Sequence, residues 1–161
     1  RVLFRSYLDV DNVLADFVGG ACKVHKREWD GKTWDLPQLW GMTKSKFWQP
    51  LTPSWFASLP LMENAHEIVE MVNRLSGGSW LFVTSPPSDP GVYTAKALWL
   101  GKHWPDFKRH ICICAKKHLL SSTGLLIDDS VDNCEQYPGQ FVLMPVGMDA
   151  LEVCIKEYMD T

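Results

Sequence analysis

The sequence predicts an α/β domain in which a parallel β-sheet carries helices on both faces. Five short apolar runs, rich in β-branched and aromatic residues, alternate with longer segments of helical spacing. Such an alternation is typical of βαβ units, whose strands run parallel. The chain has 161 residues, of which 46% are apolar and 22% charged, and these values suit one globular domain with a buried core.

The five apolar runs are the predicted strands. They cover residues 2–10, 80–83, 111–114, 125–127 and 141–144. The pairs Gly77-Gly78 and Pro86-Pro87 lie outside the two ends of the second strand and support its limits. Arg5 and Ser6 place polar side chains inside the first run, so the point at which that strand begins is left open.

Four predicted helices lie between or after these strands. They cover residues 13–24, 65–75, 93–104 and 150–158, where apolar residues recur every three or four positions. The clearest case is the second, in which Ile68, Val72 and Leu75 share one apolar stripe. Strand and helix therefore alternate along most of the chain.

The interval between residues 19 and 64 breaks this alternation. It consists of short pieces rich in Trp, Pro and Lys, and five of the eight tryptophans lie in it: Trp29, Trp34, Trp40, Trp48 and Trp55. A plain βα connection usually has about 2–6 residues. We therefore expect a small helical cap at residues 19–64, inserted into a core formed by residues 1–18 and 65–161. Its aromatic residues form either the core of the insertion or a surface that stacks on a ligand.

Charge and cysteine content narrow the class of function. The chain has 16 basic and 19 acidic residues and a net charge of −3, without a basic patch for a phosphodiester backbone, so we expect no nucleic-acid partner. The five cysteines lack the paired spacing of a zinc site, which favours a reducing compartment. We see no apolar run of about 18 residues and no leader, and expect a cytoplasmic protein without a membrane segment.

Polar residues follow four of the predicted strands at the point where each ends. In an open parallel sheet, ligands bind beyond these carboxyl ends. The sequence therefore predicts one group of acids, hydroxyls and a lysine at this edge of the sheet. Its members are Asp9, Asp11, Thr84, Ser85, Lys116 or Lys117, Asp128 and Asp129.

Such a group suits phosphoryl transfer. Clustered carboxylates remain ionised near neutral pH when a cation lies among them, and hard oxygen ligands favour Mg²⁺. A carboxylate beside Mg²⁺ can attack a phosphoryl group and form an aspartyl phosphate. Each piece alone also has an ordinary explanation, because an Asp-x-Asp pair is often a turn or a helix cap, and a lysine is often surface charge. Their joint order along the chain favours a site.

Residues 9–17, with the sequence DVDNVLADF, resemble the opening signature of the haloacid dehalogenase superfamily, and especially its 5'(3')-deoxyribonucleotidase branch. The later signatures follow in order at residues 84–86, 117–120 and 126–130, and residues 56–75 look like the return from cap to core. Asn12 stands where a glycine is common in the family. The resemblance covers nearly the whole chain and implies a Rossmann-like phosphatase core with a small helical cap after the first strand.

The resemblance also implies roles for the acids. Asp9 is the nucleophile and a Mg²⁺ ligand, and Asp11 is the general acid and base and binds the metal through its backbone carbonyl. Asp129 is the third protein ligand of the metal, and Asp128 supports it.

By the same resemblance, Thr84 and Ser85 bind phosphate, and a lysine bridges the phosphate and the nucleophile. Lys117 is preferred over Lys116 for this role, because Leu119 and Leu120 then occupy the positions of a small apolar pair in the family. Phe17 forms part of the wall against which the nucleoside packs.

The function that these implications give is a Mg²⁺-dependent phosphatase for nucleoside monophosphates. A phosphatase for another small phosphate ester is the alternative within catalysis, because the cap selects the substrate. A catalytically silent nucleotide-binding module is the alternative outside it. The base, the sugar, the position of the ester and self-association into a homodimer are left open.

Overall fold

Five parallel strands form the central sheet in a computed structural model, which describes residues 4–161. The strands are β1 (Arg5–Leu8), β2 (Trp80–Thr84), β3 (Ile111–Ile113), β4 (Gly124–Asp128) and β5 (Gln140–Leu143). Their order across the sheet is β3-β2-β1-β4-β5, and every neighbouring pair is parallel. The sheet is flanked by helices, so the predicted α/β, Rossmann-like class is confirmed.

The helices are α1 (Phe17–His25), α2 (Leu36–Leu39), α3 (Lys44–Trp48), α4 (Pro53–Ala57), α5 (Ala65–Leu75), α6 (Pro90–His103), α7 (Val131–Gln136) and α8 (Met148–Met159). Helix α5 has the predicted bounds. Helix α6 begins at Pro90, before the predicted start, because the Asp89 side chain caps it by accepting from the Gly91 amide at 2.8 Å.

Helix α1 begins later than the predicted residue 13. Asp16 caps it by accepting a hydrogen bond from the Gly19 amide at 2.9 Å, and the preceding residues form a turn instead of a helical stripe. The apolar side chains of Val13 and Leu14 are nevertheless buried. The sequence pattern therefore showed burial correctly but placed the helix start too early.

Strand β1 is shorter than the predicted run. Val2 and Leu3, the first residues of that run, lie outside the described residues, and the strand ends at Leu8. Its polar Ser6 is fully buried, and its hydroxyl lies 2.8 Å from the hydroxyl of Ser76, so the polar group is satisfied within the core.

Three short helices, α2 to α4, occupy the tryptophan-rich interval, as the predicted helical insertion requires. Trp40 and Phe47 are buried there, whereas the side chains of Trp34 and Trp48 are 50% and 42% exposed. The aromatic residues of the interval thus divide into a small core and an exposed set. The boundaries at residues 18 and 64 stay a prediction, and α1 runs across the first of them.

The main hydrophobic core lies on the sheet face that α5, α6 and α8 cover. A smaller cluster, built on Tyr7, Val83, Leu126 and Tyr137, covers the other face. All five cysteines are unpaired thiols. Within residues 4–161, no helix combines the length and the apolar character that crossing a bilayer needs.

Candidate active site

A tight turn follows β1 and brings two acids to the carboxyl edge of the sheet. The amides of residues 13–15 donate to the carbonyl of Val10 at 2.8–3.2 Å. Asn12 has a φ of 61°, in the left-handed region, which asparagine tolerates better than most residues with a Cβ. Its side chain accepts from the Val18 amide at 3.1 Å and so ties the turn to α1. Asp9 and Asp11, on either side of Val10, contact different partners.

Asp9 forms a buried ion pair with Lys117. Lys117 Nζ donates a hydrogen bond to Asp9 Oδ1 at 2.6 Å. Lys117 is only 2% exposed. The same ammonium donates to Oδ2 of Asp128 at 2.7 Å. Lys117 begins a 3₁₀ turn after β3, which directs it inward, whereas Lys116 is exposed. The structure therefore brings Lys117 to the predicted nucleophile.

Asp128 and Asp129 complete the acidic cluster at the end of β4. One side-chain oxygen each from Asp9, Asp128 and Asp129 lies within 4.8 Å of the others. Asp128 also accepts from the Ser130 amide at 2.9 Å and from Asn133 Nδ2 at 3.2 Å, so its orientation is fixed. The acids do not serve as the cap of α7, because that helix begins with Ser130 as its capping residue.

Burial governs the protonation of these groups. It raises the pKa of Asp9 well above the ordinary value, Lys117 opposes the change, and the neighbouring carboxylates of Asp128 and Asp129 add to it. Burial also raises the pKa of Asp129. For Lys117, burial acts to lower the pKa, but the carboxylates of Asp9 and Asp128 outweigh it and raise the pKa above the usual range.

The acidic cluster fits a divalent cation. When ionised, its three carboxylates face one ammonium, which leaves two negative charges to be balanced. Carboxylate oxygens are hard ligands of the kind that magnesium and calcium take. The carboxylate of Asp11 is outside this cluster.

Thr84 is the last residue of β2, the strand that pairs with β1, and so lies at the same carboxyl edge of the sheet. Its hydroxyl is buried and has no hydrogen-bond partner among residues 4–161. A buried hydroxyl without a partner is uncommon in folded proteins. Ser85 differs, because its hydroxyl already donates to the carbonyl of Cys114 at 3.1 Å. The phosphate-binding role stays a prediction for both residues. Of the two hydroxyls, that of Thr84 has no partner among residues 4–161.

Asp11 has a partner that the motif analysis missed. Lys96, in the middle of α6, lies with its Nζ 2.7 Å from Asp11 Oδ2, and it is only 4% exposed. The sequence held a signal, because Lys96 lies four residues after Val92 and three before Trp99, on the apolar face of its helix. A lysine at such a position is buried and therefore needs an anionic partner.

Phe17 stands at the start of α1 among aromatic side chains. Its ring centroid lies 6.1 Å from that of Trp48, 5.3 Å from Trp55 and 6.2 Å from Phe56. It also lines a cleft of about 360 Å³ together with Asn12, Trp48 and residues of α2. Because Asn12 follows Asp11 directly, the cleft adjoins the edge of the sheet that carries the acids.

Two curated relatives resemble this chain, and each is named 5'(3')-deoxyribonucleotidase. They come from Bacillus subtilis (strain 168) and from Bacillus phage SPbeta. Each is 23% identical over 145 residues, and the match covers 84% of this chain and 81% of the relative.

The chain also matches a family model, described as "5' nucleotidase, deoxy (Pyrimidine), cytosolic type C protein", over residues 3–151. The two kinds of match confirm the resemblance to the nucleotidase branch of the haloacid dehalogenase superfamily. They also confirm the prediction of an enzyme, a phosphoric monoester hydrolase of the 5'-nucleotidase type. Since the family model spans nearly every residue, from the first strand into the last helix, this chain belongs to the 5' nucleotidase, deoxy (Pyrimidine), cytosolic type C family.

Proposed function

We propose that the protein is a Mg²⁺-dependent phosphatase that hydrolyses deoxyribonucleoside monophosphates through an aspartyl phosphate. The observation that carries the proposal is the buried group of Asp9, Lys117, Asp128 and Asp129 at the carboxyl edge of the sheet. The unpartnered, buried hydroxyl of Thr84, at the end of the neighbouring strand β2, supports a phosphate ligand. The names of the two relatives and of the family support the substrate class.

The metal ligands of this proposal are the carboxylates of Asp9 and Asp129 and the backbone carbonyl of Asp11, with Asp128 in support. The charge that the carboxylates carry in excess of Lys117 suits a divalent cation. When bound, Mg²⁺ supplies charge neutralisation that lets an anionic nucleophile approach an anionic phosphate.

In the first step, a carboxylate oxygen of Asp9 attacks phosphorus, and the bond from phosphorus to the nucleoside oxygen breaks. Asp11 donates a proton to the departing oxygen, which would otherwise leave as a strongly basic alkoxide. Lys117 and the Thr84 hydroxyl hold phosphate oxygens and offset the charge that develops on them. The products are the free nucleoside and phosphorylated Asp9.

In the second step, Asp11 takes a proton from a water molecule, whose oxygen attacks the phosphorus of the aspartyl phosphate. The bond between phosphorus and the Asp9 oxygen breaks, so that inorganic phosphate leaves and both aspartates return to their starting states. Asp11 thus alternates between acid and base, as a two-step displacement requires.

In this proposal, the cleft beside Asn12 binds the nucleoside and so selects the substrate. The cleft offers an aromatic wall formed by Phe17, Trp34 and Trp48, and Lys44 is also at its lining. Ser85 assists in holding the phosphate through its loop, next to Thr84.

The location and assembly are part of the same proposal. Five unpaired thiols support a reducing, cytoplasmic compartment.

Phe141 and Leu143 on edge strand β5 are exposed and form an apolar surface for a homodimer in this proposal. The molecular mass in solution, measured by light scattering, decides between monomer and dimer.

The proposal is tested by phosphate release from a panel of nucleoside monophosphates and simple phosphate esters with Mg²⁺. We expect deoxyribonucleotides such as dUMP and dTMP to be cleaved best. Asp9→Asn is expected to lower kcat by about 1,000-fold or more, because it removes the nucleophile. Asp106→Asn, at an exposed aspartate, is the matched control and keeps full activity.

Three outcomes would count against parts of the proposal. Full activity of the Asp9→Asn variant would exclude the covalent mechanism. Preference for a phosphate ester without a nucleoside would support the alternative substrate class. Binding of nucleotides without any phosphate release would indicate a silent binding module.

A further inference from the structure

Lys96 is a buried cation in an otherwise apolar part of the core. It lies inside α6, 4% exposed, and its Nζ is 5.1 Å from the ring centroid of Phe56. Trp99 and Ala15 line the same small gap. Burying an ammonium is unfavourable unless an anion and hydrogen bonds compensate it. A methionine or leucine would fill such a place without that cost, so the charge itself needs an explanation.

The compensating anion is Asp11, and only one of its two carboxylate oxygens contacts Lys96. Lys96 Nζ holds Asp11 Oδ2 at 2.7 Å, while Asp11 Oδ1 is buried and has no hydrogen-bond partner within residues 4–161. The ammonium therefore holds one oxygen of the carboxylate, and no group among the described residues holds the other.

The ammonium is itself held from two sides. Helix α6 supplies its backbone, and α4, which packs against α6, supplies the Phe56 ring over which it lies. The Phe56 ring also neighbours Phe17 at the edge of the cleft, at 6.2 Å between centroids. Asp11 is thus positioned by a group that is anchored in both the core and the tryptophan-rich interval.

We propose that Lys96 is the positioning residue of the general acid and base: its hydrogen bond to Oδ2 of Asp11 fixes the orientation of that carboxylate towards the leaving oxygen of the substrate. This inference rests on the proposed function, and specifically on the role of Asp11 in it. Lys96 contacts neither the phosphate nor the acidic cluster in this account, and it acts through Asp11 alone.

The test uses substrates that differ in their need for a proton. A nucleoside leaves as a strongly basic alkoxide and needs the acid, whereas nitrophenolate is a weak base and departs without it. The measured quantity is kcat/KM, which reports the steps up to departure of the leaving group. Lys96→Met is expected to lower kcat/KM for dTMP by about 100-fold, and that for p-nitrophenyl phosphate by less than about tenfold.

Two further sets of variants sharpen the result. Lys102→Met, at an exposed lysine of the same helix, is the matched control and leaves both values unchanged. In the Asp11→Asn background, adding Lys96→Met is expected to cost nothing more, because a residue that acts only through Asp11 has no effect once that carboxylate is gone. Thermal unfolding of each variant shows that it is folded, and Lys96→Leu, which also removes the donor, replaces Lys96→Met if the latter does not fold.

The outcomes separate this inference from the proposed function. If the unmodified protein releases phosphate from neither substrate, the proposed function fails and the inference falls with it. If that protein is active but Lys96→Met lowers kcat/KM equally for both substrates, or lowers it further in the Asp11→Asn background, Lys96 does not act through Asp11. A variant with unchanged kcat/KM for dTMP would also overturn the inference.

Discussion

Replacing Lys117 by methionine tests the electrostatic design of the site. The ammonium lies 2.6 Å and 2.7 Å from oxygens of Asp9 and Asp128 and is 2% exposed. At an effective dielectric constant of about 20, each contact is worth roughly 6 kcal/mol, and desolvation of the ions offsets much of this. Breaking a buried pair by removing one partner typically costs about 3–5 kcal/mol, because the remaining charge is left uncompensated.

For a chain of this size, a loss of about 3 kcal/mol lowers the midpoint of thermal unfolding by about 10 °C. We expect that shift for Lys117→Met without Mg²⁺, measured by calorimetry, together with a fall in kcat of at least about 100-fold with Mg²⁺. Lys116→Met is the control, and an exposed substitution of this kind changes stability by less than about 0.5 kcal/mol.

The assignment of Lys117 as the phosphate-binding lysine would be refuted if Lys116→Met, and not Lys117→Met, showed these losses of stability and activity. If neither variant differed from the unmodified protein, the buried ion pairs would contribute neither to stability nor to catalysis.

Two other predictions concern the metal and the cleft. Chelation by EDTA is expected to abolish phosphate release, and added Mg²⁺ to restore it, because the carboxylates of the acidic cluster need a cation; activity that persists in EDTA would argue against a metal. Phe17→Ala is expected to raise KM for dTMP about tenfold, while KM for p-nitrophenyl phosphate changes little in steady-state assays, because the ring lines the cleft proposed to hold the nucleoside. An equal rise for both substrates would assign Phe17 to the core.

The strands and the order of the polar residues could be predicted from sequence because both depend on local pattern. Apolar runs mark buried strands, and topology then brings their carboxyl ends to one edge, which is why Asp9, Thr84 and Asp128 were expected together. Hydrophobic pattern does not show which of Lys116 and Lys117 points into the site. The choice depends on how the 3₁₀ turn at Lys117–Leu119 directs each side chain, and no periodicity reports that.

Lys96 could not be found by searching after the strands, because it reaches the site from the middle of a helix. Its partner lies 85 residues away along the chain, and only the packing of α6 on the sheet brings the two together. The burial of Trp40 and the exposure of Trp34 likewise depend on how α2 and α3 pack, since both tryptophans lie in segments of similar composition. Long-range contacts, rather than local propensity, decide such cases.

The central claim is that the Asp9 carboxylate accepts the phosphoryl group. The most direct measurement is acid quenching of the protein during steady turnover of dTMP with Mg²⁺, followed by peptide mass spectrometry. The account predicts one added phosphoryl group on Asp9, in larger yield for Asp11→Asn with p-nitrophenyl phosphate, because its leaving group needs no acid while the attack of water is slowed. A phosphoryl group on another residue, or none on any residue during rapid phosphate release, would contradict it.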